Sequence, residues 1–222
     1  MILSDISTLI PSSLLEVLQK QGLTELRPCQ EKAINAGLLD GKNLVVCTPT
    51  ASGKTLVAEL AALKNILERK GKAIYLVPLK ALATEKYNQF VKRYGHLISI
   101  GISIGDYDES DSSLGDKDLI VATAEKMDSM LRHRTSWVRE IKALLVDEAH
   151  LINDANRGPT LEIIITMLRH LVPDMQIVCL SATIGNPDQF AGWLDASLVV
   201  DTWRPVQLKQ GVCVGGKIKF HK

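Results

Sequence analysis

Along this chain, short apolar runs on consecutive positions alternate with longer stretches in which apolar residues recur every three or four. The runs are "NLVVC" (43–47), "AIYLV" (73–77), "ISIGISI" (98–104), "DLIVAT" (118–123), "ALLVDE" (143–148), "QIVCLS" (176–181) and "SLVVD" (197–201). Apolar residues at successive positions predict strands covered on both faces. Between the runs, Leu79, Leu82, Ala83, Tyr87, Phe90, Val91 and Tyr94 repeat at helical spacing, as expected of one buried helix face. "TLVAELAALKNILERK" and "GPTLEIIITMLRHL" behave in the same way. Strand and helix in alternation predict an α/β fold, a mostly parallel sheet wrapped by helices. The acidic piece "GDYDESDSSLGDKD" (105–118) predicts a surface loop, and the residues after Asp201 predict an extended tail with a Gly-Gly turn.

Composition narrows this picture only a little. At 222 residues, with 46% hydrophobic and 23% charged positions, the chain is long enough for one α/β domain with a substantial core. A net charge of +1 gives no global attraction to nucleic acid, so any such binding must come from local groups. Cys29, Cys47, Cys179 and Cys213 show no C-x-x-C spacing, which suggests neither a zinc site nor a disulfide framework. The opening residues have no basic n-region and no apolar run is long enough to span a bilayer. The expectation is a cytoplasmic, reduced protein with no membrane partner.

The chemistry begins at "TPTASGKT", Thr48 to Thr55, placed between a strand and a helix. A phosphate-binding loop reads G-x-x-x-x-G-K-[ST] in that context, and here Thr48 stands where the first glycine belongs. Backbone N–H groups across Thr50, Ala51, Ser52 and Gly53 can wrap an anion, with the helix N-terminus adding its positive dipole end. Lys54 can reach the β- and γ-phosphates and the Thr55 hydroxyl can ligate Mg²⁺. On its own, "SGKT" also suits a plain helix start with an exposed lysine. The first position only turns the chain out of the strand, so Thr48 needs no more than an allowed conformation.

"ALLVDEAH" ends a strand in two carboxylates. Asp147 could hold Mg²⁺ while Glu148 orients and deprotonates a water; by itself, the same ending suits a solvated turn. His150 is either a surface histidine or a reporter of the γ-phosphate. "CLSAT" brings Ser181, Ala182 and Thr183 to another strand end, and Gln30 carries an amide able to pair with an adenine edge.

Taken in order, these residues resemble the first motor domain of a superfamily-two helicase. Gln30 matches the adenine-reading Q motif, "TPTASGKT" motif I, "DEAH" motif II and "SAT" motif III. "VPLKALATEKYNQF", "GDYD" and "VATAEKMDSMLR" are similar to the strand-contacting motifs of the Ski-two-like family. "RGPTLEIIITMLR" and "WRPVQLKQGV" resemble the archaeal repair helicases of the Holliday-junction-migration (Hjm) type. Ala149 departs from that type, which often has Ile or Val there. The resemblance implies a RecA-like three-layer α/β/α domain over 31–201, an N-terminal helical segment with the Q motif over 1–30, and a tail over 202–222 leading toward a second RecA-like domain. It implies ATP and Mg²⁺ as cofactors, with coupling through Ser181, Ala182, Thr183 and His150. It also implies 3′-to-5′ action on single-stranded or forked DNA. The strand would lie against Pro78, Leu79, Lys80, Ala81, Gly105, Asp106, Thr123, Ala124, Glu125 and Lys126.

No arginine-rich late motif follows "SAT", so this one domain is expected to bind ATP·Mg²⁺ weakly, hydrolyse it slowly and unwind nothing alone. Three rival readings stand beside this one. They are an RNA helicase with the same motor, a nucleotide-binding interaction module without turnover, and a P-loop ATPase working on proteins.

Overall fold

The apolar runs become strands β1 (Leu44–Cys47), β2 (Lys72–Val77), β3 (Ile100–Ser103), β4 (Leu119–Thr123), β5 (Ile141–Val146), β6 (Gln176–Ser181) and β7 (Ser197–Val200). This computed structural model describes residues 1–105, 111–182, 184–206, 211–215 and 217–220. The seven strands form one sheet in the order β3-β4-β2-β5-β6-β1-β7, and every pairing is parallel. In the middle, Val45 of β1 lies level with Cys179 of β6 on one side and Leu198 of β7 on the other.

Because successive side chains point to opposite faces, the central strands feed two cores. Leu44, Val46, Ala73, Tyr75 and Val77 meet the first, whereas Val45, Cys47, Ile74 and Leu76 meet the second. The first is covered by α1 (Ser12–Lys20), α2 (Pro28–Asn35), α3 (Lys54–Arg69) and α4 (Lys80–Tyr94). A short α5 (Asp111–Leu114) follows β3. The second core is covered by α6 (Ala124–Arg132), α7 (Gly158–Leu171) and α8 (Pro187–Trp193). This is the three-layer α/β/α arrangement. The packing is specific: the rings of Tyr75 and Phe90 meet edge to face at 5.1 Å, a geometry that adds about 0.5–1.5 kcal/mol beyond the burial of area.

Strands β1 and β6 are neighbours, yet β1 leads into α3 on the first face and β6 into α8 on the second. Adjacent strands whose connections leave in opposite directions open a crevice at their carboxyl ends, where α/β proteins bind ligands.

One detail differs from the sequence reading. The 105–118 piece is not loop throughout, because α5 lies inside it and Leu114 is fully buried. One apolar residue among acidic and small ones gives too weak a periodicity to betray a single helical turn. The tail forms an antiparallel hairpin, β8 (Gly211–Val214) with β9 (Lys217–Phe220). The N-terminal segment places Leu3, Ile6, Leu14 and Leu18 in the first core, and α2 runs through residue 30. Among the described residues, no helix is long and apolar enough to cross a membrane.

Candidate nucleotide and nucleic-acid site

The loop between β1 and α3 explains its own missing glycine. The hydroxyls of Thr48 and Ser52 share a hydrogen bond of 2.8 Å, and both residues are buried. The Thr48 N–H donates to the carbonyl of Ser181 at 3.0 Å, which fastens the loop to the end of β6. Thr48 thus ties the loop across its base by side chain. Restoring the usual pattern with Thr48→Gly is therefore expected to weaken the site. The buried Ser52 hydroxyl would lose its partner at a cost of about 1–3 kcal/mol. A fall in thermal midpoint together with a raised ATP dissociation constant checks this.

Two residues give the loop its turn. Ala51 sits at φ +66° and Gly53 at φ +95°. A Cβ on Gly53 would lie 2.5 Å from Gln30 Nε2, so the glycine is required both for its backbone conformation and for the approach of α2.

From α2 and the residue before it, three side chains hold three consecutive loop carbonyls. Arg27 Nη1 donates to Ala51 O at 2.8 Å, Cys29 Sγ to Ser52 O at 3.2 Å, and Gln30 Nε2 to Gly53 O at 2.9 Å. Across a trans peptide the N–H points away from its carbonyl, so the Gly53 and Lys54 amides face away from α2. Gln30, the expected adenine-reading residue, also turns its amide to the loop. It is buried, and its Oε1 accepts from the Arg27 N–H at 2.8 Å. Both ends of the amide are engaged within the protein, and here Gln30 acts as a brace for the loop.

Across the crevice, Asp147 and Glu148 follow β5. The Asp147 carboxylate is held at both oxygens: Tyr75 OH donates to Oδ2 at 2.9 Å and the Glu148 N–H to Oδ1 at 3.0 Å. Burial, and then the adjacent Asp147 charge, push the Tyr75 phenol well above its ordinary pKa of 10.0, so it stays a donor. Glu148 adopts φ +52°, a left-handed conformation that costs a non-glycine residue of order 1–3 kcal/mol and is concentrated at functional sites. Its Oε1 lies 3.7 Å from Lys54 Nζ and its Oε2 lies 3.3 Å from His150 Nδ1. Ala149 is fully buried in the second core.

These groups suit a phosphate and its metal. Lys54 Nζ and Ser181 Oγ are buried and have no hydrogen-bond partner, an arrangement that costs free energy unless a ligand satisfies it. No group of three His, Cys, Asp or Glu that could hold a metal occurs among the described residues. Magnesium in nucleotide sites needs no such group, since one or two protein ligands suffice when phosphates and water supply the rest. Thr55 and Asp147 answer that description.

The expected strand-contacting residues come together in an open groove of about 490 Å³ at the ends of β2, β3 and β4. Pro78, Leu79, Lys80, Gly105, Thr123, Glu125 and Lys126 line it. Ala124 lines the adjoining cavity beside Glu148. The helices α4 and α6 both start in the groove, and amides at helix N-termini favour phosphate. Asp106 and Thr183 lie outside the described residues. Ala182 directly follows the β6 end that anchors the loop.

Residues 27–190 match the model of the DEAD/DEAH box helicase family. The chain belongs to this family. It is 51% identical to the ATP-dependent DNA helicase Hel308 of Methanocella arvoryzae over 219 residues, covering 96% of this chain and 29% of that protein. It is 52% identical to Hel308 of Pyrococcus horikoshii over 202 residues, covering 90% of this chain and 28% of that one. The chain therefore spans less than a third of these relatives' length. Among solved structures it resembles the DUF1998 helicase MrfA bound to DNA, with a TM-score of 0.73 and 27% identity over 87% of this chain and 30% of that one. It also resembles the helicase Lhr of Mycobacterium smegmatis bound to ssDNA and AMP-PNP, with a TM-score of 0.72 and 26% identity over 86% and 27%. These likenesses support the RecA-like fold and the Ski-two-like, Hel308/Hjm kind of helicase.

Within this DEAD/DEAH box framework, sequence reasoning missed several residues. Arg27 and Cys29 brace the loop, Tyr75 fixes Asp147, and Arg157 lines the strand groove. Lys86 reaches Thr55 Oγ1 at 3.3 Å. Only Arg27 and Cys29 left a trace in the sequence, as close neighbours of Gln30.

Proposed function

We propose that this chain is the ATP-binding motor portion of a 3′-to-5′ DNA helicase of the Hel308/Hjm kind. It would use ATP hydrolysis to move on single-stranded DNA during repair and replication-fork processing. The observation that carries the reading is the buried Lys54 ammonium, without a hydrogen-bond partner, facing Glu148 at the crevice where the phosphate loop meets β5. In this reading Lys54 binds the β- and γ-phosphates, aided by the Gly53 and Lys54 amides. Thr55 and Asp147 hold Mg²⁺, which when bound neutralises phosphate charge and fixes the β- and γ-oxygens. Glu148 takes the proton of the attacking water, and His150 Nδ1 lies 3.3 Å from its second oxygen. Ser181, Ala182 and Thr183 would pass the state of the nucleotide to the strand through the β6 end that anchors Thr48. A second RecA-like domain is the partner that closes over this crevice. DNA is favoured over RNA as the track because the Hel308 relatives are named DNA helicases.

The groove makes a separate expectation. Its lysines act on the backbone of the strand and not on its bases. Lys80→Ala and Lys126→Ala should each weaken single-stranded DNA binding about equally for all sequences. Each should also lower the slope of log affinity against log salt by about 0.7. Fluorescence anisotropy over a salt series measures this, and unchanged slopes in both variants would remove the groove from the binding face.

A further inference from the structure

The space between the two residues assigned to the metal holds a positive charge supplied by the protein itself. Lys86, in the second turn of α4, extends its side chain under the crevice. Its Nζ lies 3.3 Å from Thr55 Oγ1 and 3.8 Å from Asp147 Oδ2, and 5.9 Å from the centroid of the Tyr75 ring. The side chain is 14% exposed. Thr55 comes from the phosphate loop and Asp147 from the end of β5, so one ammonium bridges the two elements.

We propose that Lys86 is a built-in counter-cation that occupies the metal position of the nucleotide-free protein and is displaced when Mg²⁺ arrives with ATP. The inference rests on the reading of Thr55 and Asp147 as the metal-holding residues. Its physical logic is charge replacement. Asp147 is fixed in place by Tyr75 OH and the Glu148 N–H, and a nearly buried carboxylate without a cation is costly. Lys86, 3.8 Å from that carboxylate, offsets the cost in the absence of Mg²⁺. A bare divalent ion must then enter against a resident positive charge and gains little, whereas Mg²⁺ that brings its own triphosphate can replace it.

The surroundings keep Lys86 available for this exchange. Glu59, one turn beyond Thr55 on α3, is buried and paired with Arg93 and Tyr94 of α4. That pair lies further along the α3–α4 seam, within the electrostatic reach of Lys86. Lys80, in the strand groove, stands six residues earlier on the same helix, about 9 Å along its axis. The residue that yields to the metal and the residue at the strand face thus belong to one rigid element.

The test is metal affinity without nucleotide, which does not depend on turnover. Mn²⁺ is titrated into the nucleotide-free chain and free Mn²⁺ is read by electron paramagnetic resonance. Four proteins are compared: wild type, Lys86→Met, Lys86→Arg and the double variant Lys86→Met/Asp147→Asn. Removing one charge about 4 Å from a metal ligand should tighten Mn²⁺ binding by about tenfold or more in Lys86→Met. Lys86→Arg should behave as wild type, and the double variant should lose the gain. Thermal unfolding confirms that each protein is folded, and Lys86→Gln makes the same charge change if the methionine variant is not.

Equal Mn²⁺ affinity in wild type and in the neutral variant would overturn the proposal. ATP affinity of the wild type with Mg²⁺ and with a chelator tests the underlying reading separately. A Mg²⁺ dependence that Asp147→Asn abolishes upholds the metal site even where the Lys86 inference fails. Its absence would overturn both.

Discussion

Lys54→Ala is expected to lower ATP affinity by at least about tenfold and up to roughly a hundredfold, the worth of one or more charge-assisted hydrogen bonds. The same variant is expected to fold normally. Lys54 Nζ has no hydrogen-bond partner in the nucleotide-free protein, and its nearest acidic oxygen, on Glu148, stands at 3.7 Å. Truncation therefore removes a buried ammonium that makes no hydrogen bond and only a long ion pair with Glu148. Its thermal midpoint without nucleotide should lie within about 2–4 °C of wild type, the equivalent of roughly 1 kcal/mol for a chain of this size. Function and stability separate here because the residue is kept for the ligand. Calorimetric titration of ATP beside a thermal melt checks both halves. A large loss of stability with unchanged ATP affinity would make Lys54 a structural residue.

Glu148→Gln makes the opposite separation. The amide preserves the shape of the side chain, so ATP binding should stay within a few-fold of wild type. Proton removal from the attacking water is lost, at a cost in turnover of about 10²–10⁴. The left-handed backbone at Glu148 comes from the turn out of β5 and should persist in the variant. Single-turnover hydrolysis with ATP in excess of its dissociation constant measures the chemical step alone. Normal turnover in this variant would take the base role from Glu148.

Much of the architecture could be read in the chain before any coordinates. The doubly covered strands announced themselves through consecutive apolar residues, and α7 begins and ends where its periodicity does, at Gly158 and Leu171. Lys54, Asp147 and Glu148 were legible because a phosphate loop and an acidic strand end keep their chemistry within a few adjacent residues. Tyr75, Lys86 and Arg157 were not. Each works across a gap in sequence, 72 residues for Tyr75 to Asp147 and 31 for Lys86 to Thr55. Nothing in the local pattern distinguishes such a lysine from a solvated one. Tyr75 reads simply as a strand residue, since its ring fills the core and only its hydroxyl meets the site.

Gln30 shows what a motif leaves open. A motif names the residue and its amide, but not which partners the fold assigns to each end. The loop itself repays attention to residue chemistry over pattern. A threonine in place of glycine breaks the consensus, yet its hydroxyl supplies the bond to Ser52 that a glycine lacks.

The most direct test of the central claim is steady-state ATP hydrolysis by this chain, with and without Mg²⁺ and single-stranded DNA, using Lys54→Ala as the blank. The account predicts slow, Mg²⁺-dependent turnover that single-stranded DNA raises and that Lys54→Ala lacks. Turnover equal in the wild type and the blank, or no binding of ATP by the wild type at all, would contradict it.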